Sequence, residues 1–117
     1  MDNILEKMFK HYSEEKGFGP RIHYTNLGFI TFHLNKEDNE CYIEDLYVIP
    51  EMRNKGFAAR SLADKVCSIA KENGITRITG SIHKDANNKE LSRLALSSYG
   101  MVLFNESEEM EFYFKEI

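Results

Sequence analysis

Apolar residues recur along this chain with two periods, and the switches between the periods divide it into elements. Ile4, Leu5, Met8, Phe9 and Tyr12 fall at helical spacing behind Asp2 and Asn3, either of which can cap, and this predicts an amphipathic helix over residues 3–15. Gly17, Gly19 and Pro20 stop it. Residues 22–24 and 27–34 are rich in aromatic and β-branched side chains and flank a Thr25-Asn26 turn, so they read as a hairpin. A polar loop at 35–40 leads to a strand at 41–48, which Pro50 ends because proline supplies no ladder donor. Leu62, Ala63, Val66, Ile69 and Ala70 then repeat at helical spacing, giving a helix over 57–73 that Asn73-Gly74 closes. Residues 75–82 alternate as a strand, with Gly80 marking a bulge or a close backbone approach. A helix over 87–99 ends at Gly100, and strands at 101–104 and 110–114 flank an acidic turn.

The strand, helix, strand passage from 41 to 82 requires a crossover, so its two strands lie parallel side by side. The chain therefore reads as one α/β (α+β) domain over 1–117. Its sheet is mixed and mostly antiparallel, with about six strands, three helices and a parallel pair at the centre. Composition leaves this picture unchanged: 42% apolar and 29% charged residues are ordinary for a soluble globular domain. There is no apolar run of about 18 residues and no signal-peptide pattern, which points to a cytoplasmic protein with no membrane partner. A net charge of −4 disfavours a nucleic-acid surface and mildly favours a cationic acceptor. Cys41 and Cys67 lack metal or redox spacing and read as free buried thiols, and no metal site is visible.

The chemistry concentrates between Ile43 and Leu62, where an apolar strand passes through a proline turn and a basic glycine-containing loop into a helix. The first N–H groups of a helix have no intrahelical partner and the dipole there is positive, so phosphate oxygens suit that place. Gly56 lets the backbone approach closely, Ala58 is small, and Arg53, Lys55 and Arg60 add charge. Gly56 alone reads equally well as an ordinary turn glycine.

The pattern Val48-x-Pro50-x-x-Arg53-x-x-Gly56-x-Ala58, at a meander-to-helix junction and followed by a helix ending in Tyr99-Gly100-Met101, resembles the GNAT superfamily of acyl-CoA-dependent N-acyltransferases. The resemblance covers about residues 20–117. It departs at the front, where the family's first strand is absent and one helix stands for two. The resemblance implies a GNAT-like sheet whose parallel pair is splayed, with acetyl-CoA (coenzyme A) lying between the strands at 41–48 and 75–82. Leu46, Tyr47 and Val48 would line it, Asn88 (or Asn87) would contact it, and Arg53, Asn54, Lys55, Gly56, Phe57, Ala58 and Ala59 would hold its pyrophosphate. The implied reaction moves an acetyl group to a primary amine of a protein lysine, a protein N-terminus or a small polyamine.

A primary amine titrates near 10.4, so reaching its neutral form at pH 7 costs about 4.6 kcal/mol and a general base helps. Glu44, in Tyr42-Ile43-Glu44-Asp45-Leu46, looks like the base of the polyamine and diamine acetyltransferase branch. Strict alternation places Glu44 on the apolar face with Leu46 and Val48, where a carboxylate holds its proton more tightly. A bulge would change the parity and bring Asp45 forward. His83 is a second candidate at a strand end, with His11, His23 and His33 behind it. The family's acid tyrosine, four residues before the terminal glycine, is replaced by Leu96. Tyr99 can serve only if its helix is displaced; otherwise it packs at the helix end. Leu96 also supports a rival reading, a catalytically silent GNAT-like module that binds a protein and still holds coenzyme A. The missing first strand leaves an open acceptor side and sheet edges that a homodimer would cover.

Overall fold

The alternating runs assemble into one sheet, and the helical runs supply its cover. In the computed structural model, which describes residues 4–16, 21–55 and 57–117, the elements are α1 (Ile4–Lys16), β1 (Arg21–Thr25), β2 (Gly28–Asn35), β3 (Glu40–Val48), a 3-10 helix (Pro50–Lys55), α2 (Ala58–Glu72), β4 (Arg77–His83), α3 (Lys89–Ser98), β5 (Val102–Glu106) and β6 (Met110–Glu116). The expected caps Asp2 and Asn3, and the expected stop at Gly17, Gly19 and Pro20, lie outside the described residues. The strand order is β1-β2-β3-β4-β6-β5, and only β3 and β4 run parallel.

The core lies between α2 and the sheet. Leu62, Val66 and Ala70 of α2 pack with Ile30 and Phe32 of β2 and Ile78 of β4, all at most 1% exposed. Each fully buried aliphatic or aromatic side chain contributes about 1.5–3 kcal/mol, so the 3.6-residue period of α2 is what fixes this helix to the sheet. Cys41 sits in that core, and burial pushes its thiol up to about 12. Both helix stops are as the sequence predicts. Gly74 and Gly100 take φ of +77° and +91°, a region that glycine enters without a Cβ clash.

Two segments have more exposure than their patterns suggest. Ile4, Leu5, Met8 and Tyr12 of α1 are 55–70% exposed, so the apolar stripe of this helix is not part of the core. The edge strand β5 is exposed at all five positions, including Val102, Leu103 and Phe104.

α3 buries no residue fully; Leu96 packs partly buried against the core, and polar contacts add to its attachment. Arg93 donates from Nε and Nη2 to the two carboxylate oxygens of the buried Glu111 on β6, at 3.0 and 2.6 Å, and also pairs with Glu90. The Tyr113 hydroxyl donates to Glu111 at 3.0 Å. The Arg93 guanidinium holds the Glu111 carboxyl below the usual carboxylate range.

Candidate functional site

The parallel pair carries the site because it is paired for only part of its length. Cys41, Tyr42 and Ile43 register with Ile78, Thr79 and Gly80, and beyond that point β3 and β4 have no partner residues in common. On its other edge β3 stays paired with β2 as far as Val48. The edge of residues 45–48 that faces β4 therefore presents backbone N–H and C=O groups without a strand partner.

Between the diverging strands lies a cleft of about 260 Å³. Its walls are β3 from Ile43 to Val48, β4 from Gly80 to His83, and the face of α3 bearing Leu91, Ser92, Ala95 and Leu96. Its mouth is formed by Met52, Arg53 and Ala59, where the 3-10 helix meets α2. Residues 50–55, expected as turn and loop, form this short helix because Pro50 opens a tight turn, with the Met52 N–H donating to the Ile49 carbonyl at 2.9 Å.

α2 begins at the mouth without a side-chain cap. Phe57 is the N-cap residue, and the first intrahelical bond is Ser61 N–H to the Phe57 carbonyl at 2.8 Å. Among the described residues the N–H groups of Ala58, Ala59 and Arg60 thus have no intrahelical acceptor, and they lie at the positive end of the helix dipole. Ala59 lines the cleft, Ala58 is buried beneath it, and Phe57 is half exposed. Arg53 has a more local task than anion binding alone: its Nε donates to the Val48 carbonyl at 2.8 Å, and its guanidinium lies 5.3 Å from the centroid of the Tyr47 ring. It thereby ties the loop to the end of β3. Gly56 and the side chains of Asn54 and Lys55 lie outside the described residues.

β3 contains the bulge that decides where its acidic residues point. Thr31 registers with Asp45 and Phe32 with Ile43, which leaves Glu44 as the extra residue. Consequently Glu44 does not share the apolar face with Leu46 and Val48, as strict alternation predicts. It turns to the opposite face, where its carboxylate meets His33 Nε2 at 2.7 Å and its side chain is 44% exposed. Asp45 points the same way and accepts from the Thr31 hydroxyl at 3.1 Å. Glu44 and Asp45 both line the cleft.

Leu46, Tyr47, Val48 and Asn88 also line the cleft, as does His83, whose Nδ1 accepts from the Asp85 N–H at 3.1 Å. Tyr99 is not brought there. Its hydroxyl donates to Asp64 at 2.6 Å and touches the Cys67 sulfur at 3.2 Å, both on α2. Burial, reinforced by the Asp64 contact, pushes the phenol well above its ordinary range. In this structure Tyr99 packs at the helix end: Lys115 Nζ sits 4.3 Å from the ring centroid and donates to the Tyr99 carbonyl. Leu96 is among the α3 residues that line the cleft.

Sequence reasoning missed Tyr42 and Ser81. Their hydroxyls meet at 2.5 Å, and Ser81 lines the cleft one residue past the last parallel pair. The alternation of β4 puts Thr79, Ser81 and His83 on one face, which was the available signal.

The sequence matches the Acetyltransferase (GNAT) family profile over residues 3–100, so the match begins well before residue 20, where the loop-based resemblance starts. No curated protein matches it. Among solved structures, PaiA N-acetyltransferase from Thermoplasma acidophilum, in complex with coenzyme A, superposes with a TM-score of 0.73 at 16% identity. The alignment covers 96% of this chain and 70% of that one. A protein from Bacillus anthracis provisionally described as a streptothricin acetyltransferase, in complex with acetyl-CoA, gives 0.67 at 23% identity over 84% of this chain and 63% of its own. A GNAT-family acetyltransferase from Staphylococcus aureus gives 0.68 at 17% identity, covering 99% and 80%.

Proposed function

Because this chain belongs to the GNAT acetyltransferase family, we propose that it transfers an acetyl group from acetyl-CoA to a primary amine. The observation that carries the reading is the cleft opened by the partial pairing of β3 and β4, which runs from the uncapped start of α2 to the vertex beside Glu44.

The chain's own groups fit coenzyme A. The pyrophosphate suits the first N–H groups of α2, those of Ala58, Ala59 and Arg60, with Arg53 at the same end of the cleft. The amide-bearing arm suits the edge of β3 at 45–48 that has no strand partner, which can bond an extended ligand as it would another strand, the Val48 carbonyl being taken by Arg53. Asn88 and the apolar side chains of α3 close the remaining wall. Bound acetyl-CoA supplies an activated acetyl thioester with a thiolate as leaving group.

Glu44 takes the proton that the amine must lose, with Asp45 beside it to attract a cationic acceptor. A backbone N–H on the free edge of β3 donates to the carbonyl oxygen as charge develops there. Two exposed carboxylates at the vertex, with the aromatic pair Phe29 and Tyr47 stacked at 5.5 Å nearby, suit a polyamine or a lysine side chain. This composition supports kinship with the polyamine and diamine acetyltransferases.

Isothermal titration with acetyl-CoA is the test, with binding expected in the range of about 1 µM to 1 mM common for enzyme substrates. Absence of binding there removes the reading. The hydrocarbon of Leu96 in the cleft wall favours one alternative, a module that binds coenzyme A without turnover. Thiol release from acetyl-CoA in the presence of spermidine or a lysine peptide separates the two.

A further inference from the structure

The two walls at the cleft vertex are chemically unlike, and the difference assigns a task to a residue so far without one. The β3 wall offers backbone N–H groups and the carboxylates of Glu44 and Asp45. The β4 wall offers the hydroxyl of Ser81, the first residue after the last parallel pair, Ile43 with Gly80. The other side-chain donors of the cleft stand further from that last pair: Arg53 is held at Val48, Asn88 and Ser92 belong to the α3 side, Tyr47 lies towards the far end of β3, and His83, two residues beyond Ser81 on β4, accepts from the Asp85 N–H at Nδ1. Ser81 has Tyr42 behind it at 2.5 Å. A phenol is a stronger acid than an alcohol, so in this pair Tyr42 is the favoured donor and the Ser81 oxygen the acceptor. The serine proton is then free to point elsewhere, and Ser81 borders the cleft.

We propose that Ser81, oriented by Tyr42, donates its proton to the sulfur that leaves during acetyl transfer. The inference rests on the acetyltransferase reading above. As the amine nitrogen bonds to the thioester carbon, the carbon–sulfur bond breaks and its electron pair stays on sulfur. The sulfur takes the Ser81 proton, Ser81 takes the Tyr42 proton, and the phenolate recovers one from water. The nitrogen, an ammonium at the outset, loses two protons through Glu44, one before attack and one as the amide forms; one of them replaces the proton drawn from water, so the sum is one amide, one thiol and one proton released. Ser81 is the donor to the reacting atom, and Tyr42 is a positioning residue that acts through it.

The deciding measurement needs no acceptor. A donor aimed at sulfur binds a thiolate more tightly than a thiol, so the affinity of the whole chain for coenzyme A, relative to desulfo-coenzyme A, rises as pH passes through the thiol range near 8.5. By titration calorimetry from pH 7 to 10, this preference is expected to fall by about tenfold in Ser81→Ala, the size of one charge-assisted hydrogen bond. It is retained in Ser81→Thr and reduced in Tyr42→Phe, while the affinity for desulfo-coenzyme A and the melting temperature stay the same in all three. With spermidine as acceptor, kcat in Ser81→Ala falls by about a hundredfold, as for loss of a general acid, with acetyl-CoA affinity unchanged. A pH-dependent preference that is the same in the wild type and Ser81→Ala overturns the proton donor and leaves the transferase reading intact. A wild-type chain that binds neither acetyl-CoA nor coenzyme A overturns both.

Discussion

The two halves of β3 share one strand and serve opposite ends. From Cys41 to Ile43 it is paired on both edges, and Cys41 and Ile43 face the core with at most 7% exposure. From Glu44 to Val48 it is paired on one edge only, and Glu44, Asp45 and Tyr47 are exposed. The division falls at one extra residue. Inserting Glu44 into the ladder turns both acidic side chains to the open face, restores Leu46 and Val48 to the apolar face, and coincides with the point where β4 separates. A single strand thus anchors the fold at one end and builds the cleft at the other.

This contrast can be broken from either side. The largest effect is expected in the zipped half: Ile78→Ala, at a fully buried site, should cost about 3–4 kcal/mol in urea unfolding. Gly28→Ala acts on the splayed half, since a Cβ there would lie 1.9 Å from the Tyr47 carbonyl oxygen. It should cost about 2–3 kcal/mol, as overpacking does, and weaken acetyl-CoA binding by distorting the end of β3. Glu44→Gln should leave stability and acetyl-CoA affinity in place and lower kcat by about a hundredfold, with the loss greatest near neutral pH where the amine is protonated. Thr79→Val sharpens the comparison in the other direction. Among the described residues the buried Thr79 hydroxyl has no hydrogen-bond partner in the zipped half, so its removal should stabilise the protein by about 1 kcal/mol.

The last prediction concerns pH. The carboxyl of Glu111 titrates lower in the folded chain than in the unfolded one, where its ordinary value is 4.5. Its contribution is therefore complete above about pH 4.5 and is lost as pH falls through the lower folded value. The urea midpoint should decline across that window, and the slope should be shallower in Glu111→Gln.

Much of this arrangement is legible in the sequence because it rests on local periodicity. The stripe of α2, the Asn73-Gly74 stop and the crossover between β3 and β4 follow from spacing and chain connectivity, and the structure realises each. The bulge at Glu44 is not legible in the same way. Alternation through 41–48 reads equally well with or without an extra residue, and only the residue count of the partner strand β2 decides it. The direction of Tyr99 is hidden for a related reason: its position at the end of α3 is readable, but the side it faces depends on Asp64 and Cys67 of another helix. The stripe of α1 teaches the converse, since Leu5 and Met8 have helical spacing and remain exposed. Periodicity reports the capacity to bury a face, and tertiary contacts decide whether it happens.

The mode of attachment of α3 has a dynamic consequence. A helix with no fully buried residue, pinned near its middle by Arg93 to Glu111 and at its C-cap by Tyr99, forms a cooperative unit of low local stability beside the well-buried α2. Its amides should exchange with solvent through openings that leave α2 protected. Because α3 is also one wall of the cleft, each such opening widens the route by which a ligand as large as coenzyme A enters and leaves, and occupancy of the cleft should slow exchange in α3 first.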